Sequence, residues 1–175
     1  PKQDADNTTA LCFGGETPPP VTVTNTELWN GTAWTETTDM AQKRAYVGGA
    51  GTSTVALAFG GTIPPYTAVT EEWVGAGQPV GAWSTGTSVN TARYDGAGLG
   101  TREAALFVGG NDGSAADALN EVWNATNWTE ANDINTARWE IAGCGVTTAA
   151  LVASGRAPSS TIGNTESYNG TFFFF

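Results

Sequence analysis

The chain has 175 residues and a mass of 18.0 kDa, enough for one domain with a substantial core. Seven basic against 17 acidic residues give a net charge of −10, which excludes the basic clusters that nucleic-acid phosphates and anionic membrane surfaces require. There is no His, so the commonest general base and the commonest transition-metal ligand are both missing.

Residues 1–9 are polar, read as no signal peptide, and offer no convincing strand. From residue 10 a single sentence is written four times. An apolar run, Ala10-Leu11-Cys12-Phe13, stops at Gly14-Gly15. A Pro-rich loop follows, then Glu27 two residues before Trp29, then Asn30-Gly31 and a second aromatic, Trp34. Arg44 opens the next unit, which repeats the order as Ala56 to Phe59, Gly60-Gly61, Glu71, Trp73 and Trp83. Arg93 opens the third unit, with Ala105 to Val108, Gly109-Gly110, Glu121, Trp123 and Trp128. Arg138 opens the fourth, with Ala150 to Ala153, a degenerate Ser154-Gly155, Glu166, Tyr168 and Phe173. The pairs recur at spacings of 46, 49 and 45 residues, a period that signals a repeat architecture.

Each unit holds four short strand candidates, A to D. Strand A opens at the Arg (in the last unit, Trp139 to Gly145), B ends at the Gly pair, C carries the acid and first aromatic, and D carries the second aromatic. Gly-punctuated Thr/Val/Trp/Phe segments without helical periodicity make the chain all-β. Asn30-Gly31 and Asn169-Gly170 between apolar runs predict type I′ hairpins joining C to D, with Gly75 to Gly81 a longer version. Four antiparallel strands every 45–50 residues match a propeller blade. One domain over 1–175 is expected, with repeats at about 1–43, 44–92, 93–137 and 138–175. The first blade lacks a clear strand A. Closure is expected from a neighbouring subunit or a longer chain, since propellers avoid open edges.

An apolar run ending in Gly-Gly, an aromatic, a Trp and then an Arg resembles the kelch repeat over about residues 10–173, with Trp in place of the usual Tyr. The Asn-Gly-Thr-x-Trp and Asn-Thr-Ala-Arg wording is similar to kelch-like repeats of tailed-phage and environmental structural proteins. The resemblance implies a kelch-like β-propeller of about four blades, or part of a larger one.

The repeated residues read as scaffold. The glycines admit close approach near the axis. The paired aromatics fill blade junctions. Arg44, Arg93 and Arg138 reach the repeated Glu or backbone carbonyls there. Cys12 and Cys144, in apolar Gly-flanked runs, are expected as buried thiols. The Asn-x-Thr sites at Asn7, Asn30, Asn124, Asn127 and Asn169 read as turn chemistry rather than glycan acceptors.

Catalysis finds little support. Glu71 and Glu72 point to opposite faces of a strand, and an acid repeated in every unit is not a unique catalytic group. The loop from Asn111 to Asp117 lacks the calcium spacing of an EF-hand. Galactose-oxidase-like copper chemistry needs His ligands that the sequence does not have. No enzyme activity, cofactor or metal is expected. Antiparallel geometry sends the B–C loops and D–A connections to one face, and Tyr66, Asp112 and Arg156 are the candidate binding residues there. The expected function is a non-catalytic structural and binding module, on a virion surface or otherwise extracellular. Its partners would be copies of itself, other structural subunits, a glycan or a receptor, but neither nucleic acid nor a membrane interior. An intracellular adaptor-type kelch domain is the alternative, and the propeller portion of a carbohydrate-active enzyme the third.

Overall fold

The computed structural model describes residues 8–75, 81–171 and 173–174. Strand-forming residues and Gly-rich punctuation give four antiparallel sheets arranged as a four-blade β-propeller, and no helix occurs among the described residues. Blade 1 contains β1 (Ala10–Phe13), the loop pair β2 (Glu16–Thr17) and β3 (Val21–Thr22), β4 (Thr26–Trp29) and β5 (Trp34–Glu36). Blade 2 contains β6 (Gly48–Gly51), β7 (Val55–Phe59), β8 (Thr70–Val74) and β9 (Ala82–Gly86). Blade 3 contains β10 (Ala97–Gly100), β11 (Ala105–Asn111), β12 (Ala116–Trp123) and β13 (Trp128–Ala131). Blade 4 contains β14 (Ala142–Val146), β15 (Ala149–Ala153), the loop pair β16 (Arg156–Ala157) and β17 (Ser160–Thr161), β18 (Thr165–Tyr168) and β19 (Phe173–Phe174). Blades 2 to 4 are four-stranded in chain order; the blade 1 sheet, β1-β4-β5, has three strands among the described residues.

The A strands β6, β10 and β14 face one another at the centre. They are mostly Gly and Ala because side chains have little room there; a Cβ on Gly143 would lie 2.9 Å from Leu99 Cδ2 of the preceding blade. Strand B carries the core. Within its four-residue runs beginning at Ala10, Ala56, Ala105 and Ala150, the second and fourth residues point to the side of the next blade and the first and third to the side of the previous one, as the two-residue period requires. Leu57 and Phe59 of blade 2 thus share a cluster with Ala105 and Phe107 of blade 3, and Leu106 and Val108 meet Ala150 and Val152. The D-strand Trp bridges backward onto the preceding blade. Trp83 packs edge-on to Phe13 at 5.0 Å and Trp128 to Phe59 at 4.8 Å.

Three expectations need correcting. Each A strand begins four residues after its Arg, at Gly48, Ala97 and Ala142, because the intervening chain turns through a left-handed residue. The Asn-Gly turns are four-residue loops, not type I′. The Gly of each, Gly31 and Gly170, has positive φ and the Asn does not, and Asn30 Oδ1 accepts from Thr32 N and Ala33 N at 2.9 and 3.0 Å. The side-chain acceptor does the work assigned to a second left-handed residue; most of the Gly75–Gly81 version lies outside the described residues. Finally, Cys12 is only half-buried and Cys144 is exposed, because the flanks of blades 1 and 4 that carry them have no neighbouring blade among the described residues.

The Gly pair has a role beyond flexibility. The first Gly of each pair is left-handed, and a Cβ there would stand 2.5 Å from Arg44 O at Gly14, 2.5 Å from Arg93 O at Gly60, and 2.7 Å from Arg138 O at Gly109. The second Gly donates its N–H to the same carbonyl at 2.9 Å in all three cases. The pair is therefore a blade-to-blade latch, and in blade 4 Ser154 takes the left-handed position at φ 58°.

Candidate functional site

The repeated Arg fixes the face on which the site lies. Arg44 Nη2 meets Glu71 Oε1 at 2.7 Å, Arg138 Nη2 meets Glu166 Oε1 at 2.8 Å, and Arg93 Nη1 pairs with Glu121; all six side chains are buried. Each Arg also donates to the backbone of its own blade, Arg44 Nη1 to Val69 O at 2.6 Å and Arg93 Nη2 to Phe107 O at 2.9 Å. Each Glu accepts in turn from the connection arriving from the previous blade, through Ala41 N, Asn90 N and Asn135 N, all at 2.7 Å. The buried charges are thus paired and hydrogen-bonded, the condition under which burying them is tolerable. Burial lowers the Arg44 and Arg93 guanidinium groups from their ordinary value, and the Glu partners pull them back up.

Two residues past each Arg the chain passes through a left-handed conformation, at Tyr46 (φ 55°), Asp95 (φ 56°) and Glu140 (φ 54°). A backbone arc ties them together. Asp95 N donates to Tyr46 O at 3.2 Å, and Glu140 N to Asp95 O at 2.8 Å. They line a cavity of about 360 Å³ with Phe13, Glu16, Val47 and Ile141 at its walls. Tyr46 Oη donates to Glu16 Oε2 at 3.2 Å, which raises the phenol above its ordinary value. Burial, and then the nearby Glu140 charge, push Asp95 up to about 6. The mouth therefore combines an aromatic and aliphatic wall with three carboxyl groups, and among the described residues no cluster suited to a metal ion occurs.

The sequence-predicted residues surround this mouth. Arg156 forms an ion pair with Glu140 at 3.3 Å and lies over the Trp139 ring at 5.7 Å. Tyr66 lies against Gly113 of the next blade, in an adjoining depression of about 430 Å³ that shares Glu16 and Tyr46 with the mouth. Asp112 is turned into its own loop, where it accepts from Ser114 N, Ser114 Oγ and Ala115 N at 2.7–2.8 Å. Those bonds, the Ser114 hydroxyl first, hold its carboxyl below the usual value. Tyr66 and Arg156 thus belong to one surface with the mouth, and Asp112 braces a turn beside it. Tyr46, Asp95 and Glu140 were missed because they do not repeat in identity. Their signal was positional, two residues after each repeated Arg.

Four sheets wound about a common centre, with loops and connections gathered on one face, define a β-propeller scaffold. No family model matches the chain, and no curated protein matches it. The chain is similar to the solved structure of YjhT, with a TM-score of 0.79 at 10% sequence identity. The match covers 94% of this chain and 64% of that one, so the chain spans just under two-thirds of the neighbour's length. At that identity the likeness carries the fold alone.

Proposed function

We propose that the chain is a kelch-type, non-catalytic binding module of an extracellular or virion-surface structural protein, and that the axial mouth on its B–C face is the recognition site. The observation that carries this reading is the set of Tyr46, Asp95 and Glu140. Three successive blades hold three different side chains in the same left-handed conformation at one cavity. Such backbone conformations are costly for non-Gly residues and gather at ligand sites. The flanking Arg–Glu pairs keep one chemistry in blades 2 to 4, the three that carry these residues, so the variation is confined to the mouth.

The chemistry of the mouth favours a neutral or amino-substituted sugar. Tyr46 and Tyr66 offer ring faces, and the carboxylates accept from hydroxyl or ammonium groups. Anionic glycans are opposed by the local carboxylates and by the net charge of −10. A glycan array probed with the intact chain tests the reading. Binding should be lost in Tyr46→Ala and Glu140→Gln and kept in Asp112→Ala. Binding that survives both mouth substitutions would move recognition elsewhere, and turnover of any glycan would end the non-catalytic reading.

A further inference from the structure

The two outermost flanks of the blade series are complementary halves of a junction the molecule already builds three times. At the internal junctions the Leu of each B-strand run is sealed by the next blade: Leu11, Leu57 and Leu106 are at most 1% exposed, whereas Leu151 of blade 4 is 45% exposed. The first residue of strand C behaves the same way. Thr26 and Thr70 are buried beneath an incoming indole, and Thr165 is exposed. On the other side of the junction, Trp128 and Phe173 are buried against the preceding blade, while Trp34 of blade 1 is 49% exposed. The geometry of the missing contact is known from the completed ones. Trp83 Nε1 donates to Thr26 Oγ1 at 2.9 Å and Trp128 Nε1 to Thr70 Oγ1 at 3.0 Å.

We propose that the chain associates head to tail, with blade 1 of one copy docked on the outer flank of blade 4 of another. Trp34 of the first copy packs over Ala153 and donates its indole N–H to Thr165 Oγ1 of the second, repeating the Trp83–Thr26 contact. The occupant is a second copy because both complementary faces stand on this one chain, and the contact continues the interface between blades 3 and 4. A patch that fits a different patch of the same molecule makes a heterologous contact. Burial of Trp34 and Leu151 drives association. The net charge of −10 opposes it, so added salt strengthens it.

The cysteines supply an independent marker. Cys144 occupies the A-strand position of Ala50 and Leu99, which face the next blade, and Cys12 occupies the B-strand position of Phe107 and Val152, which face the previous one. Ala50 and Phe107 share one internal cluster, and Leu99 and Val152 another. Docking therefore brings Cys144 of one copy to Cys12 of the next.

Sedimentation velocity of the intact chain over a concentration series should show dimers or longer assemblies. Trp34→Ala and Leu151→Glu should each weaken association by about tenfold or more. Both sites are half-exposed, and near-ultraviolet circular dichroism would confirm that the variants remain folded. Mixing the two variants should restore a species of two chains and no more, because each retains one intact flank. Under a mild Cu(II) oxidant, which accepts the two electrons as two thiols lose their protons, the covalent product should map to Cys12–Cys144. A chain that stays monomeric up to its solubility limit would overturn the proposal. So would mixed variants that fail to pair, or cross-links joining Cys12 to Cys12 or Cys144 to Cys144.

Discussion

Blade 3 and blade 1 carry nearly the same signature, and the structure treats them differently. In blade 3, Glu121 is buried against Arg93, Trp128 is sealed against Phe59, and Leu106 lies under blade 4. In blade 1, Glu27 and Trp34 occupy the matching register, yet both are exposed, and no ion pair holds Glu27 among the described residues. Leu11 and Phe13 are buried even so, because they face blade 2. A repeat residue therefore acquires its role from the partners its own unit and the adjoining blade set against it, Arg93 for Glu121 and Phe59 for Trp128. The same letter is an interior anchor where those partners stand and a surface group where they do not.

The sharpest way to break this comparison is to remove the acid from each blade. Glu121→Ala leaves Arg93 buried without its counter-charge and strips the acceptor from Asn90 N. It should cost about 3–5 kcal/mol, lowering the melting temperature by roughly 10 °C in a thermal melt. Glu27→Ala should move it by about 1 °C or less, as surface substitutions do. Equal losses would show that the pairing in blade 3 is incidental.

The second aromatic gives the next contrast. Trp128→Ala empties a site between Phe59 and Trp123 and orphans the hydroxyl of Thr70, for an expected loss of about 3 kcal/mol in denaturant titration. Trp34→Ala should cost about 1 kcal/mol or less in the dissociated chain, because the ring is half-exposed where it packs on Trp29.

What was legible in the sequence was whatever recurs. The Gly latch, the buried Arg–Glu pairs and the D-strand aromatics announce themselves because every complete junction needs the same chemistry at the same place. Burial of Cys144 was misread for the complementary reason: an apolar Gly-flanked run records the design of the strand, not whether a neighbour covers it. The mouth was illegible by identity, since Tyr46, Asp95 and Glu140 share a backbone conformation and no side-chain chemistry. The turns were read one step wrong because Asn-Gly encodes two devices. A left-handed Asn makes type I′, whereas an Asn side-chain acceptor makes the longer loop found here, and local sequence favours neither.

That distinction predicts a smaller effect. In blade 3 the loop has no Gly: Ala125 takes the left-handed position at φ 73°, and Asn124 Oδ1 accepts from Thr126 N and Asn127 N. Asn124→Ala should cost about 1 kcal/mol through the lost acceptor, and Ala125→Gly should gain a few tenths of a kcal/mol by relieving the backbone. Under the type I′ reading, the Asn substitution would instead be felt through its own backbone angle, and Asn124→Gly would be harmless. Comparing the Ala and Gly variants at 124 in chemical denaturation separates the two.

The smallest effect is a pH dependence at the mouth. Asp95 is held up at about 6 by burial and by Glu140, and Glu16 and the Tyr46 hydroxyl are the other titratable groups lining the cavity. A carboxyl whose folded value is raised contributes its stabilisation below the unfolded value and loses it as pH rises through the folded one. Between roughly pH 4 and 6 Asp95 therefore passes from neutral and tolerated to charged and costly in the folded chain. Asp95→Asn keeps the shape and removes the charge. It should raise the melting temperature by about 2 °C at neutral pH, where the wild-type carboxyl is ionised, and the gain should vanish near pH 4. The residue is partly solvated, which keeps the effect small. In blade 2, Tyr46 stands at the equivalent position, and Tyr46→Phe should leave the Asp95-dependent gain of the Asn variant in place, since the phenol is neutral between about pH 4 and 7 and contributes no charge to Asp95. A gain at neutral pH that persists undiminished at pH 4 would mean that Asn improves packing and that the carboxyl at 95 carries no electrostatic strain.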